Sequence, residues 1–272
     1  MAPQASSKNR RTLALGALIR YSLIAIAAGM VLTSAIYASQ RFEQFLIRDS
    51  RFILPGPTDY GQESPNLEVT GTHYASRWQI QRIFEGDFGR SLYLFPAAAR
   101  RKALLNVPWV HDAEVLRIWP NHIQVNIKER QPAAFVKLRA ESMERWALID
   151  EEGVILDPPR KASFHLPLLS GISTGESPNQ RGVRVRRAMH MVQSLGNLSD
   201  TVAEVDVSDM DDLKLTEKVG GRLITLLMGD RNFASRLGNF FDHYPDIHRR
   251  TPQVSTFDLR LDDRITAVAG IN

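Results

Sequence analysis

The chain of 272 residues contains no cysteine. Disulfide staples, thiol nucleophiles and cysteine-bound zinc ribbons are thereby excluded, so the fold must stand on its hydrophobic cores alone. A strong charge of one sign is also missing: 34 Lys and Arg stand against 30 Asp and Glu, a formal net charge of +4. The nearest basic runs are Arg100-Arg101-Lys102 and the RVRR at 184–187. Neither makes the clustered surface that a nucleic-acid groove needs. No G-x-S-x-G elbow, no phosphate-loop lysine pattern, no internal repeat and no low-complexity tract is present. The seven histidines are scattered, and His243 and His248 are five apart with Pro245 between them, which is not a metal-ligand spacing. The DMDD at 209–212 lacks the glycine and distal glutamate of a calcium loop and reads as a solvated turn. The DEE at 150–152 pairs carboxylates suited to acid–base work, but it sits where a hairpin turn belongs. No enzyme, cofactor or metal is therefore expected.

Long apolar character is concentrated in one place. Residues 21–40, YSLIAIAAGMVLTSAIYASQ, carry no charge between Arg20 and Arg41. Twenty helical residues rise about 30 Å, the hydrocarbon thickness of a bilayer. Tyr21 and Tyr37 lie near the two ends, where aromatic rings favour the interface. Lys8, Arg10, Arg11 and Arg20 precede the run, and Arg41, Arg48 and Arg51 follow it. The bias of four to three places the N-terminus in the cytoplasm. A cleaved signal peptide is the competing reading, but the run exceeds a usual h-region and Ile36-Tyr37-Ala38 only imitates a cleavage site. Ala25, Gly29 and Thr33 recur every four residues, a spacing that lets another membrane helix approach. The expected organisation is a cytoplasmic tail at 1–20, a transmembrane helix at 21–40 and a juxtamembrane linker at 41–65. The turn-rich PGPTDYGQESPN at 55–66 closes that linker.

Order resumes with LEVTG at 67–71, a short alternating strand. Ser76 and Gln79 form a capping-box pattern ahead of Ile80, Ile83 and Phe84 at helical spacing. Pro96 opens a second helix that must stop before Pro108. Two strands follow: Ala113, Val115, Arg117 and Trp119 share a face of the first, and Ile123, Val125 and Ile127 alternate along the second. Pro120-Asn121 turns between them. Trp109 and Trp119, each beside a proline, read as packing rings, Trp109 over the helix–sheet seam and Trp119 at the sheet edge. Beyond Gln131 the pattern is mainly strands, with hairpins about Glu152-Gly153 and Gly220-Gly221. Two helical stripes interrupt it. One runs from Val185 to Leu195; the other, from Phe233 to Tyr244, stops at Pro245. The VSTFDLRLDDRITAV at 254–268 reads as two strands about Asp262-Asp263.

In this order, LEVTG, NVPWVHDAEVLRIWPNHIQVNIKERQPAAF (106–135), LIDEEGVIL, LPLLSG (166–171) and TFDLRL (256–261), all after a single span, resemble the FtsQ/DivIB family of bacterial cell-division proteins. The resemblance covers Tyr21 to Val268, and its most specific parts are PWV, R-x-WP and ER-x-P-A. It implies an α+β fold: an N-terminal transmembrane helix, a small POTRA domain (β-α-α-β-β) at 66–131, and a β-rich domain at 132–272. That domain has two main helices and an antiparallel sheet ending in an edge strand. It also implies a non-enzymatic part in the divisome, at the septum of the cell inner membrane. There the POTRA domain is associated with recruitment, and the β domain with binding FtsB/FtsL (DivIC-like) single-span partners. The chain departs from the family at Leu261, often an aromatic, and at Arg264, often a glycine.

Strand addition is the expected mode of binding. An edge around 264–268 offers unpaired N–H and C=O groups to another chain. The expected partner-binding residues are Phe257, Asp258, Leu259, Arg260, Leu261, Arg264, Ile265, Thr266, Ala267 and Val268. Phe257, Leu259 and Leu261 would anchor the preceding strand, while Asp258 and Arg260 would face charges on the partner or solvent alone. The alternatives are a POTRA-bearing chaperone-like module for envelope assembly and a cell-wall hydrolase, which would need a buried acid or nucleophile in a cleft.

Overall fold

The structure, a computed structural model, describes residues 7–57, 64–140, 143–159 and 162–268. The first six residues of the expected tail, residues 58–63 of the expected linker and the last four residues lie outside it. The chain divides into two compact units: residues 1–70, 77–104 and 113–126, and residues 71–76, 105–112 and 127–272.

The first unit begins with α1 (Ser7–Arg48). All described side chains from Tyr21 to Tyr37 are exposed, and Tyr21–Arg48 is long and apolar enough to cross a membrane. The sequence places a linker at 41–65, yet residues 41–48 continue the helix. No proline or glycine interrupts the chain between Gly29 and Pro55. Helix gives way only at Asp49, whose carboxylate caps a 3-10 turn at Ser50–Phe52 by accepting the Arg51 N–H. Leu54 is then fully buried.

Next come β1 (Leu67–Thr70), α2 (Arg77–Arg82), 3-10 turns at Glu85–Asp87 and Leu92–Leu94, α3 (Ala97–Leu104), β2 (Val110–Ile118) and β3 (His122–Glu129). The sheet order is β1-β3-β2, with β1 parallel to β3 and Leu67 opposite Ile123. This is the β-α-α-β-β order expected from the sequence. Within the first unit, Ile80, Phe84, Leu92, Leu104, Ile123 and Val125 are fully buried. Arg100 holds the buried Asp87 carboxylate through two bonds of 2.6 and 2.8 Å. Trp119 stands half exposed with its ring edge-on to Phe52 at 5.5 Å, and the Trp119-Pro120 peptide is cis.

In the second unit the strands are β4 (Pro132–Ala140), β5 (Met143–Asp150), β6 (Ile155–Leu156), β7 (Leu168–Ser170), β8 (Val202–Asp206), β9 (Leu213–Val219), β10 (Arg222–Gly229), β11 (Thr256–Asp258) and β12 (Thr266–Ala267). Among the described residues they form one sheet, ordered β12-β11-β10-β9-β8-β7-β4-β5-β6. The β9–β10 hairpin turns at Gly220 and Gly221, both at positive φ as a tight turn of this kind requires. Alternate residues on one face (Ala134, Val136, Leu215, Ile224, Leu226) pack with Val185, Ala188 and Met191 of α4 (Pro178–Leu195). Leu237 and Phe240 of α5 (Phe233–Arg250) join the same core. The opposite face carries exposed Trp146 and Leu223.

Two expectations are corrected. The sheet is mixed: β4–β7, β7–β8 and β10–β11 run parallel. Helices α4 and α5 lie between β7 and β8 and between β10 and β11, and a crossover helix returns the chain to the end where the strand began. The second correction concerns Pro245, which lies inside α5 and does not end it. Tyr244 and Ile247 on either side of it both pack against the core, so continuing the helix buries more than the one lost backbone bond costs.

Candidate functional site

The last two strands build the site. Phe257 and Leu259 are buried, at 1% and 2% exposure, and the Phe257 ring packs on Phe240 at 5.3 Å. Of the three expected anchors, Phe257 and Leu259 are thus buried, whereas Leu261 is 55% exposed. Strand β11 ends at Asp258, and the Leu259 N–H reaches Leu227 O at 3.0 Å. The Val268 N–H donates to Thr256 O at 2.9 Å. In an antiparallel pair successive residues direct their backbone groups to opposite sides. With Val268 turned toward β11, the backbone groups of Ile265 and Ala267 turn away from it. Strand β12 is the last of the sheet among the described residues, so that outer side has no strand partner. Arg264, Thr266 and Ala267 are exposed, while Ile265 packs against the core.

Asp258 and Arg260 do not present free charges. Arg260 reaches Asp258 at 2.6 Å and Asp212 at 3.1 Å. The Arg260 guanidinium holds the Asp258 carboxyl below its ordinary range, against the opposing effect of partial burial. Behind the turn, Arg236 is buried; its Nε donates to Asp262 Oδ1 at 2.7 Å and its Nη1 to Met228 O at 2.7 Å. Asn232, at a left-handed φ of 56° that asparagine tolerates, donates to the other Asp262 oxygen at 2.9 Å. The 259–265 turn that delivers β12 is thus clamped by α5 and its N-terminal residue. Sequence reading missed Asp212, Asn232 and Arg236, because nothing local marks residues whose partners lie 26 to 48 positions away.

The opposite end of this sheet differs. There Leu156 of β6 is fully buried, and the carbonyl of Asp157, just past the strand, accepts the Trp109 indole N–H at 3.1 Å. Trp109 packs against Tyr74 at 5.0 Å, so it lies beside this end of the sheet and not over the helix–sheet seam expected of it.

The ER-x-P-A residues also prove to be framework. Glu129 Oε1 accepts the backbone N–H groups of His73, Tyr74 and Ala75 at 2.8, 2.8 and 2.6 Å. Arg130 joins Asp150 at 2.7 Å and Glu152 at 2.6 Å. These groups line a cleft of about 410 Å³ with His111 and Gln131. The Asp150 carboxylate additionally takes the N–H groups of Glu152 and Val154, so this member of the DEE run shapes the β5–β6 turn. Among the described residues no group of three or more His, Asp or Glu side chains is placed to hold a metal.

Comparison with known proteins gives two matching family models. The one described as POTRA domain, FtsQ-type matches residues 65–130, and the one described as cell division protein FtsQ/DivIB, C-terminal matches residues 139–260. Curated relatives bear the name cell division protein FtsQ. That of Koribacter versatilis is 31% identical over 210 residues, 75% of this chain and 59% of its own length. That of Novosphingobium aromaticivorans is 29% identical over 245 residues, 89% of this chain and 71% of its own. That of Coxiella burnetii is 38% identical over 88 residues, 31% and 32% of the two chains. Strand β12 lies beyond the residues the second model matches.

Proposed function

The chain belongs to the FtsQ/DivIB family of cell-division proteins, and from that premise we propose that it acts as a non-enzymatic adaptor of the divisome. In this reading α1 anchors it in the inner membrane as a single-pass type II protein, with the N-terminus cytoplasmic and the bulk outside. It gathers at the division septum and binds an FtsB/FtsL-type (DivIC-like) single-span partner by adding the partner's strand to β12. The POTRA domain at 66–131 serves recruitment, and the domain at 132–272 serves partner capture.

The observation that carries this reading is the contrast between the two ends of the nine-strand sheet. At β6 the chain takes up a backbone carbonyl just past that strand with the Trp109 indole. At β12 the backbone of Ile265 and Ala267 faces outward from a strand held in place by Arg236, Asp262 and Asn232. A two-residue edge is short enough to resist indiscriminate pairing. Exposed Leu261 and Arg264 flank the turn and supply selection. Tethering of both proteins in one membrane raises their effective concentration, so a modest contact suffices.

Ala267→Pro is the direct test. The Ala267 side chain is exposed, so the substitution removes an outward N–H with little cost to the core. One lost hydrogen bond of about 0.5–1.5 kcal/mol weakens partner binding about 2- to 12-fold. Titration of the full chain in detergent with the partner's extracytoplasmic segment measures this. Unchanged affinity with an unchanged thermal melt refutes strand addition here.

A further inference from the structure

We propose that the first unit rests on the bilayer itself, held by a collar of aromatic rings and arginines around the outer end of α1 that engages anionic phospholipid headgroups. This rests on the reading of α1 as a membrane span. Counting from Tyr21, about 20 helical residues fill the hydrocarbon layer, and each headgroup layer adds roughly 5–7 Å. Phe42 and Phe45 then fall at headgroup depth, 63% and 43% exposed. Leu46 lies about 9 Å beyond Gln40, about 2 Å outside that layer.

The unit is fastened to the helix at this level. The Ser91 hydroxyl donates to Leu46 O at 2.6 Å, Ser91 bridges to Ile53, and the Leu54 N–H reaches Arg90 O at 2.9 Å. The 3-10 turn that follows Ser91 carries exposed Tyr93 and Leu94. A string of edge-on rings continues the surface from Phe45 to Phe52 at 5.8 Å and from Phe52 to Trp119 at 5.5 Å. No length of free chain therefore separates these apolar groups from the membrane surface.

The charges fit a lipid occupant. Arg41 curls back to the Tyr37 hydroxyl at 2.9 and 3.0 Å, and its guanidinium lies 5.3 Å from the Tyr37 ring centre. Arg51 lies over Phe45 and Phe52, at 5.5 and 5.9 Å. Arg48, Arg90 and Arg117 are exposed as well; the exposed acidic groups of these segments include Glu43, Glu85 and Glu114, while Asp49 is bonded to Arg51. Arginines with aromatic rings at a helix end, apolar stems inward and heads toward phosphate, are suited to an anionic interface.

The cysteine-free chain makes the test clean. Full-length Leu94→Cys and Met30→Cys are each labelled with an environment-sensitive dye and reconstituted in nanodiscs. Mixed anionic–zwitterionic lipid carries quenchers at the headgroup or mid-chain. The expected result is mid-chain quenching at Met30 and headgroup quenching at Leu94. Quenching at Leu94 should fall about twofold or more in purely zwitterionic lipid and in the Arg48→Gln, Arg51→Gln, Arg90→Gln variant. Quenching at Met30 with none at Leu94 overturns the proposal while leaving the anchor intact, as does protection of Leu94 only when another protein is added. Quenching at Leu94 unaffected by lipid charge or by the arginine variant overturns the headgroup collar. No quenching at Met30 removes the anchor, and the proposal with it.

Discussion

Replacing Glu217 should make the protein more stable. Glu217 lies on the core face of β9, in line with Leu213 and Leu215, at 0% exposure. Neither carboxyl oxygen has a hydrogen-bond partner among the described residues. The nearby Thr201 hydroxyl donates to Leu198 O at 2.9 Å. Burial, the largest influence on it, pushes the carboxyl above its ordinary 4.5. A buried polar group without partners costs about 1–3 kcal/mol. Glu217→Leu removes that cost and adds apolar burial, so the full chain in detergent should melt about 2–12 °C higher at neutral pH. Glu217→Gln should give a smaller gain.

The sign with pH is specific. The folded state holds the Glu217 proton at a higher pH than the unfolded state does, so stability from this group falls as pH rises from the ordinary glutamate value through the folded one. The advantage of Glu217→Gln over the parent should therefore grow as pH rises above about 4.5 and shrink on acidification toward it. Comparing the two proteins cancels the acid response of Asp206 and Asp258, whose lowered values act in the opposite sense. Melting curves at several pH values read this directly. If both variants are less stable than the parent at neutral pH, Glu217 has a partner and the reasoning fails.

Two further outcomes follow from backbone geometry. Gly153 sits at φ 80°, and a Cβ there would lie 2.0 Å from Pro178 O and 2.4 Å from the Gly182 N. Gly153→Ala should thus force the β5–β6 turn off α4 and cost about 3 kcal/mol or more in chemical denaturation; a cost under about 1 kcal/mol would contradict this packing. Glu129→Ala leaves three backbone N–H groups at 73–75 without their acceptor and should cost about 2–4 kcal/mol. Hydrogen exchange at those amides should quicken, whereas Glu129→Gln, which keeps an acceptor oxygen, should retain most of their protection.

Much of this is local and legible. An uncharged apolar run long enough to cross a membrane is legible from composition, and β1 and β9 announce themselves by alternation. The ending of α4 at Gly196 and the hairpin at Gly220-Gly221 follow from φ values that glycine reaches most easily. Other features have no local signature. Pro245 argues for a helix end, and only the core contacts of Tyr244 and Ile247 reverse that. Trp109 reads as a packing ring from the sequence, but only the fold shows it on Asp157 O, and Glu129 on the 73–75 amides. At the site, Asp258 and Arg260 alternate along an apparent strand as if to meet a partner, but they meet each other and Asp212.

Periodicity and composition by themselves determined the long apolar helix and the β-α-α-β-β order, because each depends on which residues lie within a few positions of one another. Tertiary structure alone decided that three strand pairs run parallel, that an indole takes up a carbonyl at one end of the sheet while the outer side of β12 has no strand partner among the described residues, and that α1 continues unbroken to the Ser91 hydroxyl. Those outcomes depend on groups brought together from distant parts of the chain, and their interaction energies exist only once the chain has closed the loops between them.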